Sequence, residues 1–198
     1  MQNKTIIAGL MFVFLLLTGV CYAGTNLIEL NVSQSTIQAG YEHKMPVEYG
    51  FLTGGIGAQY SEDDYKIGEL KFALGNVMSS AGLAFNLGFK GVLGNVEKGS
   101  EEADVMALCF LFEGTVTVPE TLLPIPVDLS LDAAMAPDPL CFLDSDRYLD
   151  LKASLDFRII RNAAVLIGYR YVETRVEQGS DNWEMSDGTI FIGYQLKF

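Results

Sequence analysis

Beyond its first two dozen residues this 198-residue sequence has no long apolar run: the longest, Val105 to Phe112, holds eight residues, against the roughly 20 a membrane-crossing helix needs. It has one histidine, one tryptophan and three cysteines, too few for a disulfide scaffold or a Cys/His metal cluster. Positive charge is also scarce, with 13 Lys+Arg against 25 Asp+Glu and a net charge of −12. That excludes the basic footprint of a nucleic-acid binder. What is present is grease: 49% of residues are hydrophobic and the mean hydropathy is +0.25, high for a soluble domain.

The first 23 residues combine Lys4, an apolar stretch from Ile6 to Val20 and the small-x-small triplet Cys21-Tyr22-Ala23 before Gly24. This pattern predicts a cleaved secretory signal, residues 1–23, followed by one domain, 24–198. A retained anchor is the first alternative, although the stretch is short for a span. A lipoprotein signal ending at Cys21 is the second, with bulky Val20 placed where a small residue is wanted. Cleavage leaves 175 residues with 12 Lys+Arg against 25 Asp+Glu, a net charge of −13. The cysteines that remain, Cys109 and Cys141, are expected as two buried thiols or, in an oxidising compartment, as a disulfide.

The mature sequence alternates apolar with polar or small residues at period two, which sorts them onto opposite faces of strands. Leu149-Asp150-Leu151-Lys152-Ala153-Ser154-Leu155-Asp156-Phe157-Arg158-Ile159 has one wholly apolar face, and Val127 to Met135 and Leu83 to Phe89 repeat the pattern. A soluble sandwich would alternate too. Segments of about 10 to 13 residues, however, suit tilted membrane strands rather than the usual 5 or 6 of globular sheets. Tyr60, Phe89, Phe157 and Tyr171 near the segment ends fit interfacial girdles. The glycines are expected at lumen-facing positions.

Candidate strands fall at 26–33, 36–42, 50–60, 66–74, 81–91, 103–117, 125–136, 147–159, 164–176 and 185–198. The fold predicted is all-β, a closed antiparallel transmembrane barrel. Even parity favours ten strands, with eight the alternative. Counted back from a periplasmic carboxy terminus, 160–163 and Pro119 to Pro126 are periplasmic. The external loops are then 61–65, 93–102, 137–146 and 177–184, bearing Glu62, Asp63, Asp64, Glu97, Glu101, Glu102, Asp138, Asp144, Asp146, Asp181 and Glu184. That acidic rim lacks the ligand spacing of a calcium loop.

Asp128, Asp132, Asp150, Lys152, Asp156, Arg158, Arg170 and Lys197 are predicted to face the lumen, where paired charges fill a narrow barrel. Asp150, Asp156, Arg158 and Arg170 are the foremost members of that network. An ion or proton path is the alternative use of the same residues. His43 is expected in a periplasmic turn beside Glu42, Lys44 and Met45, far from any nucleophile, so no enzymatic activity and no cofactor or metal are expected.

The last strand alternates Ile190, Ile192, Tyr194, Leu196 and Phe198 with Phe191, Gly193, Gln195 and Lys197. With Tyr194, Leu196 and the final Phe198 it resembles the signal read by the barrel-assembly machinery of bacterial outer membranes. The partners expected are therefore that machinery and outer-membrane lipid, with oligomeric state left open. Ala136-Pro137, Asp146-Arg147-Tyr148-Leu149, the run from Arg161 to Tyr171 and the terminal Asp187 to Phe198 resemble the YfaZ family of small bacterial outer-membrane proteins. The likeness covers about the last third of the chain, and the first half shares only the pattern. It implies an outer-membrane barrel and carries no catalytic motif. The role expected is a structural or surface-interaction barrel with a side-chain-filled lumen, a narrow solute or cation channel being the alternative.

Overall fold

The computed structural model describes residues 24–62, 64–78, 82–99, 101–119, 125–178 and 181–198. The segment 1–23 read as a signal, Asp63, the middle of the 119–126 connection and the Asp181 side chain lie outside what it describes. The strands are β1 (Thr25–Val32), β2 (Thr36–Val47), β3 (Gly50–Ser61), β4 (Tyr65–Met78), β5 (Leu83–Lys98), β6 (Glu101–Val118), β7 (Val127–Ala136), β8 (Cys141–Leu143), β9 (Ser145–Ile160), β10 (Ala163–Gln178) and β11 (Asp181–Lys197). All except β8 are staves of one antiparallel barrel, each pairing with the next in the chain. It closes where β1 meets β11, Leu27 opposite Lys197 through Val32 opposite Ile192. The closed barrel therefore has ten strands, as parity requires.

Closure removes the sheet edges that hydrocarbon cannot solvate. The alternation survives closure because a pleated strand sends successive side chains to opposite faces. Leu87, Phe89 and Leu93 of β5, Met106 to Phe112 of β6 at even positions, and Ile190, Ile192 and Tyr194 of β11 are exposed outside. Polar positions such as Lys90, Glu113, Asp150 and Arg170 are buried inside.

Several expectations are corrected here. Six of the strands, β4 to β6 and β9 to β11, run longer than 13 residues, from 14 in β4 up to 18 in β6. The pairing of β5 with β6 continues to Lys98 opposite Glu101, so Glu97, Glu101 and Glu102 stand on strand ends rather than in a loop. Glu184 likewise lies within β11. β2 extends to Val47, and His43 is a strand residue opposite Gly54, not a turn residue. Its Nδ1 lies 2.8 Å from Asn26 Oδ1, which also accepts the Tyr41 hydroxyl at 2.8 Å. Phe89 sits mid-strand against Phe110, ring centroids 5.7 Å apart, rather than in a girdle. Glycines occupy both faces: Gly54, Gly68 and Gly91 stand at outward positions of the alternation. Inward Gly88 is needed for space, since a Cβ there would meet the Phe72 backbone carbonyl oxygen at 2.1 Å.

The first and last described residues lie at one end of the barrel, the terminal end, and Asn26 and Phe198 exchange backbone hydrogen bonds of 2.8 and 2.9 Å there. At the opposite, far end the staves are unequal. β1 and β2 stop early, and β7 stops at Ala136, where β8 covers the gap by pairing with β6 from Val105 to Ala107. A short 3-10 turn, Asp138–Leu140, leads into β8. Cys109 and Cys141 are unlinked thiols. Burial raises the pKa of Cys141, on this connection.

Candidate functional site

The barrel interior is divided in two. On the side of the termini it is polar and holds a cavity of about 150 Å³ lined by seven carboxylates and five cations. Each of the five cations has a carboxylate within 4.0 Å, so the acids alone are in surplus. Solvent reaches the cavity from the terminal end, where the Lys44 and Asp132 side chains are about a third exposed.

Four charges from four strands cross the lumen at the inner limit of this cavity. Arg170 of β10 donates from Nε and Nη2 to both oxygens of Asp150 of β9, at 2.9 and 2.5 Å. Lys90 of β5 donates to Asp150 Oδ2 at 2.5 Å and approaches Glu69 Oε1 of β4 at 2.9 Å. Arg170 also reaches Glu69, at 3.2 Å. Two cations face two carboxylates, so the quartet is neutral, and its bidentate Arg–carboxylate pair has the geometry that best offsets desolvation.

Two further clusters line the cavity walls. Lys71 contacts Glu113 at 2.5 Å and Glu42 at 2.6 Å, and Asn86 Nδ2 donates to the same Glu113 at 2.6 Å. Lys152 pairs with Glu29 and lies 3.5 Å from Asp132, while Asn31 and Gln195 also donate to Glu29. Nearer the terminal rim Arg158 lies 3.3 Å from Asp128. Asp156 accepts from Ser130 and Ser154 at 2.7 and 2.6 Å, so hydroxyls rather than a cation satisfy it. Lys197 stands half-buried at the rim opposite Leu27. Of the eight residues singled out in the sequence, six thus form the pairs Asp150 with Arg170, Asp132 with Lys152, and Asp128 with Arg158.

Glu29, Glu42, Glu69, Lys71, Lys90 and Glu113 were not singled out, although every pair of Lys71 or Lys90, and the closer of the two pairs of Lys152, needs at least one of them. The signal was available in the alternation itself, since Lys90 continues the inward row of Asn86 and Gly88. Their partners lie far away in sequence: Glu29 and Lys152 are 123 residues apart, Glu69 and Arg170 101.

Beyond the quartet, toward the far end, the lumen turns apolar at one step. Two residues farther along each of the four strands, on the same face, stand Ile67 after Glu69, Val92 after Lys90, Tyr148 after Asp150 and Val172 after Arg170, all buried. With Tyr65, Val96, Val105, Cys109, Val176 and Met185 they form one packed cluster across the barrel, and Trp183 packs on its side. The eight-residue apolar run explains itself here. Val105, Ala107, Cys109 and Leu111 enter this cluster while Met106, Leu108, Phe110 and Phe112 face outward. The exterior inverts in the opposite sense: Ile167 and Tyr169 of β10 give way to Glu173, Arg175 and Glu177, and Leu93 of β5 to Asn95 and Glu97. The far-end extension is therefore built like a soluble sheet pair, apolar inside and polar outside.

Position grades these ion pairs. Arg158 is 37% exposed at the rim, and Arg158→Met is expected to cost below about 1 kcal/mol in urea unfolding, because water replaces the lost partner.

A closed barrel with an apolar outer band, a polar lumen in that band and a charged collar at one end is an integral membrane barrel of the outer-membrane type. Among its described residues no helix is long and apolar enough to cross a membrane. The chain belongs to the YfaZ precursor family, whose model matches residues 12–198. Among solved structures it is similar to a KdgM porin, at 10% identity and a TM-score of 0.43, covering 88% of this chain and 99% of that one. It is also similar to the translocator domain of the autotransporter NalP from Neisseria meningitidis, at 12% identity and a TM-score of 0.35, covering 100% and 96%. The beta domain of the Bordetella autotransporter Brka matches at 14% identity and a TM-score of 0.34, covering 88% and 98%. No curated protein matches the chain.

Proposed function

We propose that this protein is a closed, non-enzymatic outer-membrane barrel with a structural or surface-interaction role, its far end outside the cell and its termini in the periplasm. The observation that carries this reading is the double obstruction of the lumen. The neutral quartet of Glu69, Lys90, Asp150 and Arg170 is stacked directly under the apolar cluster around Tyr65 and Tyr148. Water and ions would have to break both layers to pass. The far-end rim carries Glu62, Asp64, Asp138 and Asp144 between strands and Glu97, Glu101, Glu102, Asp146 and Glu184 on strand ends. In this orientation it is the acidic surface presented outward. The outward row Tyr194, Leu196 and Phe198 of the closing strand serves as the assembly signal, and the apolar band meets outer-membrane lipid.

The test is planar-bilayer recording on purified, refolded protein. No discrete, reproducible conductance steps are expected, and such steps would overturn the closed-lumen reading. One observation favours the alternative of a narrow cation path: the surplus of carboxylates around the cavity. In that case the steps should be cation-selective, since a surplus of fixed negative charge concentrates counter-ions.

A further inference from the structure

β11 is paired on both sides only along its final part. β10 accompanies it over its whole length, from Asp181 opposite Gln178 to Leu196 opposite Ala163, but β1 ends at Val32 opposite Ile192. Above Ile192 no described strand pairs with it on the β1 side, although the tip of β5 comes close to it there. The direction of each backbone group follows from the register. Phe198 bonds to Asn26 of β1, while the Lys197 N–H bonds to Asn162 on the β10 side. An antiparallel strand alternates the side to which its N–H and C=O point, and the β10 register runs without a shift along β11. The even-numbered residues Asn182, Glu184, Ser186, Gly188 and Ile190 therefore turn both backbone groups toward the open side. One of those groups is already taken from outside the sheet: Lys98 Nζ, at the tip of β5, donates to the Glu184 carbonyl at 2.5 Å.

An edge of this length is what closed barrels otherwise abolish, and it is the template used when an extended peptide adds a strand to a sheet. We propose that the far-end edge of β11 is a docking site for an extended, basic segment of another protein, which pairs with Asn182 to Ile190 as an added strand. The basic character follows from the border of the site. Glu62 and Asp64 stand on the β3–β4 connection, Glu184 on β11 itself, and Asp187 beside them, held by the Tyr65 hydroxyl at 3.2 Å. A second copy of the chain fits poorly. Two barrels in one membrane share their up-down direction, so their β11 strands cannot meet antiparallel, and both borders would be acidic. The proposal rests on the outer-membrane reading only for the side of the membrane on which the partner is found.

The test uses the full chain refolded in detergent micelles and a ten-residue peptide of alternating lysine and valine, with amide hydrogen exchange as readout. Exchange at Ser186, Gly188 and Ile190 is expected to slow about tenfold or more with peptide present. A peptide of alternating glutamate and valine, or the Lys-Val peptide N-methylated at alternate residues, should leave it unchanged. Equal protection by either control would show adsorption rather than strand pairing and overturn the proposal, as would no protection at all. Protection that rises with protein concentration without peptide would mean self-pairing and overturn it too. Ser186→Pro removes one edge N–H but no β10 hydrogen bond, and should abolish peptide protection at Gly188. The peptide comparisons keep the proposal falsifiable if that variant fails to fold. Conductance steps in the native protein would leave this result untouched, so the two readings fail separately.

Discussion

Asp150→Ala is expected to lower the unfolding free energy by about 3 to 5 kcal/mol, the largest effect of any single charge removal in this barrel. Asp150 is 4% exposed and holds both Arg170 and Lys90 at 2.5 Å. Removing it leaves two cations facing Glu69 alone, directly beneath the packed apolar cluster. The cost is the uncompensated charge rather than the lost hydrogen bonds, and a second substitution separates the two. In Lys90→Met/Asp150→Leu the remaining Arg170 and Glu69 are again neutral as a pair. At least half of the lost stability should return, because a buried ion pair replaced by apolar side chains of similar volume is often neutral. Urea unfolding in micelles, followed through the single tryptophan, Trp183, which packs on the apolar cluster, measures both. A loss below 1 kcal/mol for Asp150→Ala would show that water reaches the quartet freely.

The second large effect concerns the apolar layer. Cys109 is fully buried in it together with Tyr65 and Tyr148, so in a Cys141→Ser background a maleimide should react with native protein on the order of a hundredfold more slowly than with unfolded protein. Tyr65→Ala/Tyr148→Ala removes two large side chains from one cluster. Aromatic truncations of this kind cost about 3 to 5 kcal/mol each in packed cores, and the space they vacate lies on the path from the far end to Cys109. Labelling of the folded double variant is expected to approach the unfolded rate, with Tyr148→Phe unchanged as the control for packing. If wild-type Cys109 already labels quickly, the far end is open and the closed-lumen reading fails.

The two predictions probe layers that were unequally legible. The charge layer could be read from alternation, because a polar residue flanked by Leu149 and Leu151, as Asp150 is, must face away from the apolar side of its strand. Alternation assigns a face but no partner. It offered Asp156 and Arg158 as network members, whereas Asp156 is satisfied by Ser130 and Ser154 and Arg158 sits at the rim with Asp128. It passed over Lys90 and Glu69, whose importance appears only when β4 and β5 are folded against β9 and β10. The apolar layer was harder still. Tyr65 reads as a loop residue, Val92 falls just past a strand end and Val172 reads as an ordinary strand residue, while the run Val105 to Phe112 reads merely as the longest apolar stretch. Pairing lengths were underestimated for the same reason: beyond the band the outward residues turn polar, as with Asn95 and Glu97, and a pattern tuned to lipid-facing strands takes the change for a loop.

By itself the sequence determined the barrel and the outward side of its strands, and narrowed their number to ten or eight, because a strand's two faces are fixed by a period of two that any stretch of chain displays locally. Only the tertiary structure decided where the interior turns from polar to apolar, which charges meet and where a strand is left unpaired on one side. Those depend on register and on unequal stave lengths, which bring residues as distant as Glu69 and Arg170 to one level and leave β11 paired on one side only above Ile192.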